Sequence, residues 1–136
     1  MPALLAIHDV DPKKQIMAKV RKQLPDIHLY GNAILVATYL RPKKARFGTL
    51  QLDLADSTLK EDEYQGKVGL VLKLGPRAYQ DDESFQFHGQ KVDPGDWVVY
   101  RPSDGWALTI VDGSVLCRML VESSIRMRIP SPDAVW

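Results

Sequence analysis

The sequence predicts a mainly β protein, a small barrel or sandwich, with a helical extension at its N-terminus and a short tail after the last strand. Three observations carry this reading. Between residues 33 and 129, short apolar or alternating runs of strand length follow one another. Turn signals separate them, among them Gly75-Pro76, Pro94-Gly95 and Asp112-Gly113. Helical periodicity is confined to the N-terminal segment.

The bounds agree with one small domain. The chain has 136 residues, 45% of them apolar, enough for a modest core. Its 18 basic and 17 acidic residues leave a net charge of +1. That balance argues against non-specific nucleic-acid binding, which needs a basic excess to neutralise phosphates. A single cysteine, Cys117, rules out an intramolecular disulfide. The apolar run from Pro2 to Ile7 has no basic residues before it. It is too short for a signal peptide or a membrane span, so a soluble protein made in a cytoplasm is expected.

In chain order, Asp11-Pro12 forms a helix start, an acidic cap followed by proline in the first turn. Ile16, Met17, Val20 and Leu24 follow at helical spacing with lysines and arginines between them, and Pro25 stops the run. The spacing predicts a helix from Pro12 to Leu24, either packed on its own domain or extended as an arm onto a neighbouring subunit. Ala33 to Tyr39 is rich in strand formers, and Arg41 to Gly48 reads as a basic loop. Thr49 to Leu54 alternates, with Leu50, Leu52 and Leu54 sharing a face. Lys67 to Lys73 is an apolar strand, and Arg77 to Lys91 a protruding hairpin or excursion with the acidic tip Asp81-Asp82-Glu83. Trp97 to Tyr100 is a strand, and the runs Ala107–Val111 and Val115–Leu120 flank Asp112-Gly113 as a β-hairpin. Ile125 to Ile129 is the last strand. The domain organisation is then an extension at 1–26, a β body at 27–129 and a tail at 130–136. Alternation assigns Ile34, Val36, Val68, Leu70, Leu72, Val98, Tyr100, Ile110, Leu116 and Leu120 to the core.

Residues that could carry chemistry do not assemble into a motif. His8, His28 and His88 are not at metal-ligand spacing with one another or with Cys117, so no metal is expected. Cys117 lies in an alternating strand, which suits a buried structural thiol. Adjacent acids at 61–63 and 81–83 read as solvated loop faces. No phosphate-cradling glycine motif occurs, so no cofactor is expected. Trp97, Tyr100 and Trp106 suggest a nucleic-acid stacking platform only weakly, given the charge balance. Enzyme chemistry is disfavoured, and a binding or assembly role remains.

Five segments, in order, resemble the bacterial co-chaperonin (GroES, chaperonin-10) family. They are IHLYGNAILV (27–36), the loop from Ala37 to Gly48, GKVGLVLKLGP (66–76), VDPGDWVVY (92–100) and GSVLCRMLVESSIRMRI (113–129). The resemblance covers about a hundred residues. It implies a small irregular GroES-like β-barrel that forms rings, with Gly95 giving a tight turn and Asp96 capping it. It also implies a partner-binding mobile-loop equivalent made of Arg41, Pro42, Lys43, Lys44, Arg46, Phe47, Gly48, Leu50 and Leu52.

The chain departs from the family at that loop. The family presents a glycine pair and then three apolar residues. Here the sequence is Phe47-Gly48-Thr49-Leu50-Gln51. Two lost aliphatic anchors would remove roughly 3–6 kcal/mol of burial per subunit. The extension and the tail add candidate docking arms: Ile16, Met17, Val20 and Leu24, and Val135 and Trp136. The resulting expectation is a non-enzymatic, homo-oligomeric structural protein, a phage capsid decoration (cement) subunit in a virion, binding capsid protein. The alternative is a co-chaperonin in a host cytoplasm, a heptameric lid on a chaperonin. Neither nucleic acid nor membrane is expected as partner.

Overall fold

A computed structural model describes residues 4–6, 11–40, 44–47, 50–53 and 67–134. Strand β1 (Leu4–Ala6) precedes helix α1 (Pro12–Val20). Strands β2 (Ala33–Thr38), β3 (Lys44–Phe47), β4 (Leu50–Asp53), β5 (Val68–Leu74), β6 (Trp97–Tyr100), β7 (Trp106–Ile110), β8 (Val115–Val121) and β9 (Ile125–Ile129) follow. Short 3-10 turns lie at Leu24–Asp26, Pro102–Asp104, Glu122–Ser124 and Pro132–Ala134. The strands form two antiparallel sheets, one of six strands in the order β7-β8-β2-β5-β6-β9 and one of three in the order β1-β3-β4.

The six-stranded sheet does not close, which corrects the expected barrel: β7 and β9 stand at opposite ends of the strand order. The reason lies in β2 and β5. Their apolar runs, Ile34 to Ala37 and Leu70 to Leu72, are continuous, so both faces of the sheet are buried and each needs its own cover. One face carries Leu35, Ala37, Tyr39, Leu70, Leu72, Trp97 and Cys117, covered by Val20 with Ile16, Met17, Leu24 and Ile27. The other carries Ile34, Val36, Val71, Val98, Tyr100 and Leu120, covered by Ala78, Tyr79 and Val92 from the long β5–β6 connection. Nine of the ten core residues expected from alternation are buried, and Leu116 is half-buried. They split between the two clusters.

Helix α1 starts as the sequence implies. Asp11 Oδ1 accepts from Lys13 N at 3.1 Å and Pro12 occupies the first turn. It ends at Val20 rather than Leu24, and Leu24–Asp26 is a separate 3-10 turn. Pro25 has no N–H to continue the ladder and disfavours helical backbone at Leu24. Tertiary partners then capture the following segment. Lys73 Nζ from β5 donates to the carbonyls of Leu24 and Ile27. Gln23 Oε1 accepts from Val111 N at 2.7 Å. Helix α1 and the turn after it are thereby part of the same body as the six-stranded sheet.

Gly69 of β5 makes room for the Tyr100 ring. A Cβ there would stand 3.0 Å from both Tyr100 Cε1 and the Ala37 carbonyl oxygen. β5 also carries one extra residue, Leu72, against β2, where the register slips between Leu35 and Val36.

Candidate partner-binding surfaces

The loop expected to grip a partner lies between β2 and β5. Arg41, Pro42, Lys43 and Gly48 fall outside the described residues, and the rest of the segment corrects the reading of a bare basic loop. Lys44, Arg46 and Phe47 lie in strand β3, and Leu50 and Leu52 in β4. The hairpin register pairs Phe47 with Leu50, Arg46 with Gln51, Ala45 with Leu52 and Lys44 with Asp53. β1 adds Leu4 opposite Phe47, Leu5 opposite Arg46 and Ala6 opposite Ala45.

Directly opposed residues share a face, and successive residues alternate. Leu4, Ala6, Ala45, Phe47, Leu50 and Leu52 therefore fall on one face of the three-stranded sheet. Leu5, Lys44, Arg46, Gln51 and Asp53 fall on the other. Backbone pairing joins these strands to one another, β3 standing between β1 and β4. The sequence reading missed β1 because three residues carry little signal, and missed β3 because Lys-Ala-Arg-Phe reads as a charged connector.

Of the two placements open for the helix, the structure has it packed on its own domain and not extended as a docking arm. Val20 is fully buried, and Ile16, Met17 and Leu24 pack on the same cluster, so these four side chains are used inside the subunit. Val135 and Trp136 lie outside the described residues. The tail before them is anchored: Pro132 is buried, and Tyr39 Oη donates to Asp133 Oδ1 at 2.6 Å. A cleft of about 640 Å³ separates this tail from the start of α1 and the Gly95–Trp97 turn. At that turn Gly95 has φ +95° and Asp96 Oδ2 accepts from Asp93 N at 2.8 Å. Asp96 also faces Arg128 Nη1 at 3.8 Å.

The β5–β6 connection forms an excursion without strands between Gly75 and Asp96. Its acidic tip closes the loop rather than merely facing water. Asp82 Oδ1 accepts from Ser84 N, Ser84 Oγ and Phe85 N, and Asp81 Oδ1 accepts from Phe87 N at 2.6 Å. Those bonds, the Ser84 hydroxyl's first, hold the Asp82 carboxyl below its usual range. The loop presents an aromatic row, with Tyr79 edge-on to Phe87 at 5.3 Å and Phe87 4.7 Å from Phe85. Burial, and then the Glu122 carboxylate, push the Tyr79 phenol up to about 12.

Trp97, Tyr100 and Trp106 do not form a common platform. Trp97 is buried on one face of the sheet and Tyr100 on the other, while Trp106 is 79% exposed at one sheet edge. Burial pushes the Cys117 thiol up to about 12, so it is a protonated, inert group at neutral pH. His28 and His88 are exposed, and no three His, Cys, Asp or Glu among the described residues are grouped to hold a metal ion. No helix among them is long and apolar enough to cross a membrane. No protein-family model matches the sequence, and no curated protein matches it significantly.

Proposed function

We propose that the chain is a non-enzymatic, homo-oligomeric subunit that binds a larger protein assembly through the apolar face of its three-stranded sheet, in the manner of a co-chaperonin lid on a chaperonin. One observation carries this. The β2–β5 excursion, where the resembled family has its partner loop, supplies Ala45, Phe47, Leu50 and Leu52 to one face, and β1 extends that face with Leu4 and Ala6. Three consecutive apolar residues suit an extended segment that inserts into a groove. A hairpin binds by one face, so its anchors alternate, and polar Gln51 between Leu50 and Leu52 costs nothing. The loop's departure from the family pattern then has a physical reading as a different way of presenting anchors.

Further support comes from strand order. Apart from the loop segment, which holds β3 of the small sheet, the resembling segments contain β2, β5, β6, β8 and β9, and in the six-stranded sheet these five are contiguous, in the order β8-β2-β5-β6-β9. Fold alone does not fix function, so the partner is the point to test.

A second reading, a capsid decoration subunit in a virion, draws on the exposed Trp106 and Met127 at the two ends of the large sheet. Lateral contacts within a shell would use such side chains. The two readings separate in one experiment. Co-sedimentation with a chaperonin in the presence of ADP, abolished by Leu50→Asp, is expected for the lid. Absence of any such complex, with the protein recovered on purified particles, would replace the lid by the decoration subunit.

A further inference from the structure

The two edges of the six-stranded sheet are built differently. β9 carries Arg126 and Arg128, both exposed, and its register against β6 slips between Val99 and Tyr100, which leaves Arg126 as an extra, bulged residue. Charge and a bulge are two devices by which proteins keep an edge strand from pairing with another chain. Antiparallel pairing of β9 on itself about Met127 would also set Arg126 opposite Arg128, like charge against like.

β7 has none of this. Trp106-Ala-Leu-Thr-Ile110 contains no charge and no proline, and its register with β8 is unbroken from Trp106↔Met119 to Ile110↔Val115. Its outer side has no backbone partner among the described residues. Trp106 is 79% exposed, and Ala107 and Thr109 are exposed as well.

We infer that β7 pairs antiparallel with β7 of a second copy of this chain, about a two-fold axis at Leu108. The strand is self-complementary in that register. Trp106 comes opposite the partner's Ile110, Ala107 opposite the partner's Thr109, and Leu108 opposite its own mate, so each subunit gives and receives the same contacts. Trp106, Leu108 and Ile110 lie on one face, so the apolar stripe of one subunit continues into the next. The bulge and arginines of β9 disfavour the other edge-to-edge arrangement, β7 on β9, which is head-to-tail and would give a ring or an open chain instead of a dimer. This goes beyond the partner-binding reading: it concerns how two copies meet, in a shell or between facing rings, and stands whichever larger partner is bound.

The register gives a sharp test, because positions 107 and 109 face each other across the axis. Sedimentation velocity of the intact protein is expected to show a dimer, or multiples of it, that dissociates on dilution. Ala107→Lys with Thr109→Lys sets lysine opposite lysine twice and is expected to weaken the dimer by roughly tenfold or more. Ala107→Lys with Thr109→Glu sets lysine opposite glutamate twice and is expected to restore it. Both positions are exposed, and unchanged circular dichroism checks the fold of each variant. A monomer at every concentration would overturn the inference. So would equal association of both variants, which would assign the contact elsewhere, or equal dissociation of both, which would exclude the two-fold register.

Discussion

The large and small sheets of this chain use alternation in opposite ways. In the six-stranded sheet, the central strands are apolar at nearly every position, and two separate covers, α1 and the β5–β6 excursion, bury the two faces. In the three-stranded sheet, register puts the apolar positions on one face and charged or amide residues on most of the other. The first pattern specifies a body, and the second supplies the face proposed to take the partner. Substitutions in the large sheet should therefore act on stability, and substitutions on the apolar face of the small one should act on binding.

The largest effect is expected at Tyr100, 2% exposed and seated over Gly69. Tyr100→Ala should cost about 3–5 kcal/mol in urea unfolding, through lost burial and the cavity left behind. A loss under about 1 kcal/mol would mean that this face of the sheet is not a core. Val20→Ala comes next and asks whether α1 belongs to the body. Two methyl groups leave a fully buried site, so a loss of about 2 kcal/mol is expected. An arm that docks only on a neighbour would show no change in the dissociated subunit.

Alkaline pH provides a third comparison. The Cys117 thiol is raised from 9.0 to about 12 by burial, so the folded state resists its ionisation. Its contribution to stability is complete below pH 9 and declines as pH rises from 9 toward 12. Between pH 9 and pH 10 the loss should be about 1 kcal/mol, and Cys117→Ala should flatten that part of the profile. Tyr79 and Tyr100, both raised from 10.0 chiefly by burial, extend the decline at higher pH. An unchanged slope in the alanine variant would contradict a buried thiol. The smallest effect on stability belongs to Leu50→Asp on the small sheet, about 0.5 kcal/mol or less.

Much of the large sheet was legible in the sequence. β5 to β9 were read to within a residue or so, because apolar runs bounded by Pro-Gly, Gly-Pro or Asp-Gly leave few alternatives. Its two-sided burial was not legible. Alternation assumes one wet face, and it passed over Leu35, Ala37 and Val71, which are as buried as the residues it chose. Whether α1 packs on its own body or on a neighbour stayed open in the sequence, since that depends on Lys73 and Gln23 meeting backbone groups far along the chain. At the candidate site, Leu50 and Leu52 were recognised from their own alternation. Leu4, Ala6 and Ala45 were not, because each joins that face only through pairing across strands. Asp81 and Asp82 read as a charged tip, and their use as acceptors for Ser84, Phe85 and Phe87 depends on the loop conformation.

The most direct test of the account is sedimentation velocity of the purified protein with a chaperonin and ADP, run beside Leu50→Asp at matched stability. The account predicts that the protein co-sediments with the chaperonin only when nucleotide is present, and that the variant folds normally and stays behind. Co-sedimentation unaffected by Leu50→Asp would contradict binding through the small sheet. No co-sedimentation by either protein would contradict the lid itself.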